Sequence, residues 1–445
     1  MRRLAVYVVL LYLRFFARIA LFMHRPKVIG IAGSVGKSSA KYALKAILEK
    51  TGRTVSTSGN SETGVPLGIL GITLAGYGPI DWLIALLRCP FGVFHLIGAS
   101  YLIVEMGIDD PRPPKNMEYL LTIVEPDVAV IVTESAAHTM QFEKALTVEE
   151  AHGMDPAERR DLLIRRITAE DVKMITDRTD TVVYNADNAF ITDELKKLKH
   201  DDKMMLSFGA SPDNRLTYGR REVTLQHTFF EFKLDADRIA FRVNDYALPE
   251  EYREVFGAAI LAAYAVGETP ARIEQALSSF HALPKGRVSL LRGINDSVII
   301  DSSYNASRVS VMAFLGLAQE LRDATQRPVV FAFGDMRELG GEAELEHTDV
   351  ARRAVEVAEY LYCVGPLTKQ YVMPIAEQAG LRELQWFENA RLLGSHLRSH
   401  LPNNALVLVK GSQNQIFLEE AIKFILADEK DVSRLCRQER YWKKE

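Results

Sequence analysis

Cysteine is scarce in this chain. Cys89, Cys363 and Cys436 are the three it has in 445 residues, too far apart for a disulfide framework or a zinc site, so a reducing cytoplasm is expected. A basic surplus is missing as well. The net charge of −4 provides no field for holding a polyanion, so nucleic acid is not expected as a partner. No repeat of fixed period and no low-complexity tract occurs, which sets aside fibrous and disordered classes. What is present, 48% apolar and 25% charged residues, is the balance of a globular protein long enough for two or three domains.

Acid is also absent from residues 1–27, "MRRLAVYVVLLYLRFFARIALFMHRPK", which carry Arg2, Arg3, Arg14, Arg18, Arg25 and Lys27. Two strongly apolar runs lie between these cations, Leu4 to Leu13 and Phe15 to Met23. A spanning helix needs about 20 largely uncharged residues, and Arg14 and Arg18 interrupt this one. Four apart, they share a helical face, as a helix lying among lipid headgroups requires. No small-residue cleavage site follows, which argues against a signal peptide. An interfacial helix touching a membrane through residues 1–25, a helix packed on the protein and a true span all stay open.

The stretch "VIGIAGSVGKSSAKYALKAILEK", Val28 to Lys50, reads as strand, glycine-rich loop and helix. Glycines let backbone N–H groups converge on phosphate oxygens, and the helix N-terminus favours negative charge. Gly33, Ser34, Val35, Gly36, Lys37, Ser38 and Ser39 are the candidate cradle for a nucleotide. Lys37 is placed to reach terminal phosphates and Ser38 to hold Mg2+ through its hydroxyl. The core is shorter than the general phosphate loop, with Ile31 where a glycine would stand.

Buried-type runs at Tyr101 to Gly107, Asp127 to Glu134 and Thr181 to Asp187 alternate with helical patterns, predicting an α/β domain with a parallel sheet. Alternating strands over Glu222 to Asn244 predict an antiparallel edge, and the Ala-rich helix "YREVFGAAILAAYAVG" is apolar nearly all round and so buried. The charged segment 143–171 reads as an insertion or lid outside the core. "LPKGR", Leu283 to Arg287, marks a boundary. Beyond it, "SVIIDSSYNAS", "PVVFAFGDM", "YLYCVG" and "LVLVKGS" predict a second, smaller Rossmann-like α/β domain. The expected divisions are 1–27, 28–285, 286–428 and a tail 429–445, whose Tyr441 and Trp442 suit a packed terminal helix.

These motifs, in order, resemble those of the Mur ligase family. "GSVGKSS" is similar to its phosphate loop, "TSGNSETGVPLGIL" to a substrate-side loop, and "VEMGIDDP" and "AAHTMQF" to segments bearing a carboxylate and a histidine. "VVYNADN", "GR", "IIDSSYNAS", "FGDMRELGGEAELEH" and "VLVKGSQNQIFLEEAI" continue the series. The resemblance implies an ATP-binding central domain, a C-terminal ligase domain, and amide formation through an acyl phosphate with ATP and Mg2+. It implies that Ser38, Glu105 and His138 hold metal and that Lys37, Glu105, His138 and Asp171 serve catalysis. Arg287 and Asp301 then contact nucleotide, while Asn60, Glu62, Thr63, Tyr304, Asn305, Lys410 and Ser412 face substrate.

Three departures accompany the resemblance. The cationic apolar helix is expected to stand in place of the family's N-terminal UDP-binding domain. Asp171 stands where many members carry a carbamylated lysine, and a native carboxylate there can bind Mg2+ as a carbamate does. The adenine-side H-N-x-x-N motif falls at "EYREV", without its asparagines. The expectation is a monomeric cytoplasmic enzyme, its contact with the inner face of the membrane left open, that joins D-alanyl-D-alanine or a similar amine to a muramoyl-peptide-like carboxylate. The acceptor is a small-molecule substrate, UDP- or lipid-linked. A poly-γ-glutamate or folate-type glutamate ligase and a nucleotide-binding scaffold remain open.

Overall fold

The computed structural model describes residues 2–438 apart from 75, 77, 137, 138, 148, 149, 151–153, 199–201, 281, 282, 338, 382, 413 and 414. It divides into two compact units. One comprises Met1–Gly219, Glu231–Phe241 and Arg253–Phe280; the other comprises Arg220–Phe230, Arg242–Tyr252 and His281–Glu445.

The chain opens with helix α1 (Arg2–His24) and strand β1 (Lys27–Ala32), followed by α2 (Lys37–Leu48), β2 (Thr54–Ser56), α3 (Pro79–Gly92), β3 (Tyr101–Glu105), β4 (Val128–Ile131), α4 (Pro156–Asp171), β5 (Thr181–Asn185) and β6 (Met204–Gly209). Strands β7 (Leu216–Val223), β8 (His227–Leu234) and β9 (Asp237–Asn244) precede α5 (Tyr252–Ala265). The nine-stranded sheet runs β2-β3-β1-β4-β5-β6-β7-β8-β9. From β2 to β7 every neighbouring pair is parallel. The links β7–β8 and β8–β9 are too short for anything but hairpins, the expected antiparallel edge. Strand β1 lies between β3 and β4, with Ile31 opposite both Glu105 and Val130. The chain goes from β1 to one side of the sheet and returns to the other, so the carboxyl end of β1 is where a ligand is expected.

Helix α1 buries Leu10, Leu13, Ala17 and Ala20, a 3-4-3 spacing that lays one face on the unit. Arg14 and Arg18, four apart on α1, differ in their surroundings. Arg14 is half-buried and its Nη1 donates to Thr122 Oγ1 at 3.1 Å, whereas Arg18 is exposed. Segments Val6–His24 and Pro79–Leu96 are both long and apolar enough to cross a membrane by length and composition. The charged 143–171 segment is no detached insertion over its second half. Leu163, Ile164 and Ile167 make a buried face on α4, and the helix ends on Asp171, also buried. Helix α5 is buried as its composition predicts.

In the second unit, β10 (Ser289–Arg292), β11 (Val298–Ser302), α6 (Arg308–Thr325), β12 (Val329–Gly334), β13 (Tyr360–Val364), β14 (Glu383–Phe387) and β15 (Leu406–Lys410) follow one another. The six-stranded sheet is ordered β10-β11-β15-β12-β13-β14, with β10 antiparallel and the rest parallel. Strands β11, β12 and β15 lie side by side, bringing the loops after "IIDS", "FAFG" and "LVLVK" to one end of the sheet.

Candidate phosphate-binding site

Strand β1 ends in a loop whose backbone only glycine tolerates. Gly33 has φ +126° and Gly36 φ +89°, and a β-carbon on Gly33 would lie 3.0 Å from Thr133 O. The loop is fixed from the β4 side: Ser34 N donates to Thr133 O at 2.8 Å, and Ser34 Oγ to Glu134 Oε2 at 2.7 Å. Helix α2 begins at Lys37, so its free N–H groups and positive dipole end face the loop. Lys37 Nζ donates to Gly33 O, folded back onto the loop it follows.

Two carboxylates flank this loop from the strands on either side of β1. On the β3 side, Glu105 accepts from Ser38 Oγ on Oε1 at 2.9 Å, and Lys41 Nζ lies 2.9 Å from its Oε2. Burial alone raises the Glu105 pKa, but the charges of Lys41 and Lys37 and the bonds from Lys41 and Ser38 outweigh it, so the group is held below the ordinary carboxylate value. On the β4 side stands Glu134, paired with Asp171 from the end of α4. Asp171 Oδ2 accepts from Gly33 N at 3.2 Å. The other oxygens, Glu134 Oε1 and Asp171 Oδ1, are buried without an N–H or O–H donor. Burial first, and the Asp171 charge second, push the Glu134 pKa well up.

Among the described residues no three His, Cys, Asp or Glu side chains gather at one point. Mg2+ does not require such a cage, because it binds through one or two carboxylates together with waters and substrate phosphates. The Ser38–Glu105 pair and the donor-less oxygens of Glu134 and Asp171 fit that habit. His138, expected as a ligand, lies outside the described residues.

The substrate-side candidates Asn60, Glu62 and Thr63 lie between β2 and the short helix Gly64–Ile69. Asn60 O accepts from Gly107 N at 3.0 Å, tying this loop to the segment after Glu105. Lys41 Nζ also donates to Thr57 O at 2.9 Å. Near the phosphate loop, "EYREV" contributes Glu254, which accepts from Thr133 Oγ1, and Val255, packed by Gly36.

In the second unit the candidates form a separate cluster. Asp301 is fully buried, accepts from Ser303 N at 3.0 Å, and is raised to about 6, chiefly by burial. Lys410 Nζ donates to Ser302 Oγ at 3.0 Å and Asn305 O at 3.1 Å. Burial, then the Arg287 charge, bring it down to about 7. The Arg287 guanidinium lies 4.8 Å over the Tyr304 ring, with its Nε buried and without an acceptor. Ser412 Oγ donates to Ala306 O at 3.3 Å, holding the same loop.

Four contributors escaped the sequence reading. Lys41 and Glu134 could have been suspected only from a turn-spaced lysine on α2 and an acid closing β4. Asp335 caps backbone N–H groups of Leu367 and Thr368. Arg437 grips Glu419 with two bonds of 2.6 and 2.5 Å and donates to Tyr304 O and Ser303 O. The tail's Tyr441 and Trp442 lie outside the described residues.

Residues 286–413 match the family described as Mur ligase, glutamate ligase domain. The chain is 23% identical over 405 residues to the UDP-N-acetylmuramoyl-tripeptide--D-alanyl-D-alanine ligase of Buchnera aphidicola, covering 89% of this chain and 75% of that protein. To the Escherichia coli K12 protein of the same name it is 24% identical over 333 residues, covering 74% of this chain and 62% of the other. Its fold is that of the MurF ligase from Thermotoga maritima, solved in complex with ADP, with TM-score 0.69, 20% identity, and coverage of 96% and 84%.

Proposed function

We propose that this chain is a Mur-type ligase, an ATP-dependent enzyme of cell-wall peptide synthesis that joins D-alanyl-D-alanine to a muramoyl-peptide carboxylate. The observation that carries the reading is the loop Gly33–Lys37 at the carboxyl end of β1, opening α2 with Ser38 bonded to Glu105. Its parts answer what phosphoryl transfer asks of a protein, which is positioning and neutralisation of charge on phosphate oxygens.

In this reading the Gly33–Gly36 backbone and the α2 N-terminus bind the β- and γ-phosphates, and Lys37 swings from Gly33 O to the γ-phosphate. Ser38 and Glu105, with Asp171 and Glu134 beyond the loop, would hold Mg2+, which supplies Lewis-acid neutralisation of phosphate charge when bound. An acceptor carboxylate oxygen attacks the γ-phosphorus and ADP leaves with the bridging oxygen. The amine nitrogen of the dipeptide then attacks the acyl carbon, the phosphate departs, and the nitrogen gives up a proton. Loop Asn60–Thr63 contacts the acceptor. The Arg287, Asp301, Tyr304, Asn305, Lys410 and Ser412 cluster serves nucleotide and amine. The enzyme works in the cytoplasm, with residues 1–25 touching the inner face of the membrane.

The test is D-alanyl-D-alanine-dependent release of phosphate from ATP and Mg2+ with UDP-linked and lipid-linked muramoyl peptides. The reading expects an amide product and one ADP per bond formed. No product with either acceptor, or turnover that depends on glutamate instead, would overturn it.

A further inference from the structure

Helix α3 is apolar on both sides. Ala85, Cys89 and the following Val93 are buried toward the unit, as a core-facing stripe should be. The opposite stripe, Leu83, Leu87, Phe91 and Phe94, repeats at the same helical spacing and stays in the open, with Leu87 65% and Phe91 76% exposed. Helix α1 has the same double character. Its outer positions Val8, Phe15 and Phe22 recur every seventh residue and are exposed, Phe22 at 73%.

The two outer stripes belong to helices that lie against each other. Tyr12 Oη donates to Leu86 O at 3.3 Å, and His24 Nε2 bonds Val93 O at 2.9 Å, so α1 and the α3 region are tied at two places along their length. Apolar surface of this extent on neighbouring elements marks a contact with something other than water.

The charges indicate what that is. Helix α1 has no acid; Arg18 on it and Arg25 just past its end are exposed, as is Arg88 on α3. The one acid of α3, Asp81, accepts from Gly78 N at 3.0 Å. Arg25 lies 5.4 Å over the Phe22 ring, an apolar body beneath a cationic head that suits a headgroup boundary. A second copy of the same face would set arginine against arginine, whereas anionic headgroups over acyl chains match both the charge and the apolar stripe.

We infer that α3 and the segment to Leu96, together with the outer face of α1, form one two-helix docking face that sinks side by side into a single anionic bilayer leaflet. The inference rests on the membrane contact proposed for residues 1–25 and adds a second element to it.

The experiment is sedimentation of the full chain with vesicles of equimolar phosphatidylglycerol and phosphatidylcholine, and with phosphatidylcholine alone. The wild type should bind the anionic vesicles and bind the neutral ones more weakly. Leu87→Glu with Phe91→Glu should weaken binding by more than about tenfold, because two exposed apolar side chains lose their burial. Phe15→Glu with Phe22→Glu should do the same. Because these side chains touch solvent, ATP turnover on a soluble acceptor should be unchanged. Phe91→Cys, labelled with an environment-sensitive dye while the native cysteines stay buried, should report an apolar medium on vesicle binding.

If the α3 pair binds like wild type while the α1 pair does not, this inference falls and contact through residues 1–25 survives. If the wild type binds no vesicle, both fall. A dimer that the same substitutions dissociate, without vesicle binding, would show that a second copy is the occupant and would also overturn the inference.

Discussion

Lys41 Nζ stands 2.9 Å from Glu105 Oε2, both side chains 8% exposed. This ion pair fixes the carboxylate that also receives the Ser38 hydroxyl, so the geometry of the proposed Mg2+ site depends on a lysine one turn beyond the loop. Lys41→Met should leave the buried Glu105 carboxylate without its ion-pair partner, at a cost of up to about 3–5 kcal/mol. Chemical denaturation measures this, and Lys41→Met with Glu105→Gln should recover much of the loss. The pH sign follows from Glu105's lowered value in the folded state. Its contribution is full above the unfolded carboxylate value and disappears as pH falls through the folded one. Wild type should therefore lose more stability on acidification than Glu105→Gln.

Lys37→Ala should separate chemistry from folding. Lys37 is half-buried, and among the described residues its ammonium donates to Gly33 O within its own loop. Thermal unfolding should change little, while turnover should fall by roughly 10²–10³-fold, as when one transition-state donor is removed. Gly33→Ala should instead damage both, because φ +126° and a 3.0 Å approach to Thr133 O leave no room for a β-carbon.

Lys410 gives the second unit a pH dependence of the same sign in a higher pH window. Its folded value is about 7, against about 10.4 for a lysine in an unfolded chain. Between those values the unfolded chain holds the extra proton, so stability should rise as pH increases from 7 toward 10. Urea unfolding at several pH values measures the slope. Lys410→Met should flatten it, and an unchanged slope would show that burial does not hold the amine neutral.

Arg437→Ala should release the loop at Ser303–Asn305. The Arg437–Glu419 pair is 3%/2% exposed, so removing one member strands the other at about 3–5 kcal/mol. Limited proteolysis should then cut near Tyr304, whose carbonyl Arg437 accompanies at 3.0 Å in the wild type. Arg437→Lys should restore little, since one ammonium cannot reproduce the two-pronged grip.

The legible parts of the sequence were those where local chemistry forces the structure. Gly33 and Gly36 declare a backbone that only glycine adopts, and the runs at β1, β3, β4, β11, β12 and β15 are apolar on both faces because both are covered. Strand β14 was hidden because Glu383 is exposed, Leu384 and Gln385 sit at the sheet edge, and no buried alternation results. Helix α4 looked like a detached segment because its charges outnumber the three apolar residues that seat it. Lys41, Glu134 and Arg437 carry no local signature. Each acquires its role from a partner distant in sequence, 133 residues away for Arg437 and Tyr304.

The most direct test is isotopic. A muramoyl-tripeptide acceptor labelled with 18O in its terminal carboxylate, incubated with the enzyme, ATP, Mg2+ and D-alanyl-D-alanine, should deliver one 18O to each inorganic phosphate released, alongside an amide product. Phosphate free of label, or label retained in unreacted acceptor while ATP is hydrolysed, would contradict transfer of the γ-phosphoryl group to a carboxylate at Gly33–Ser38.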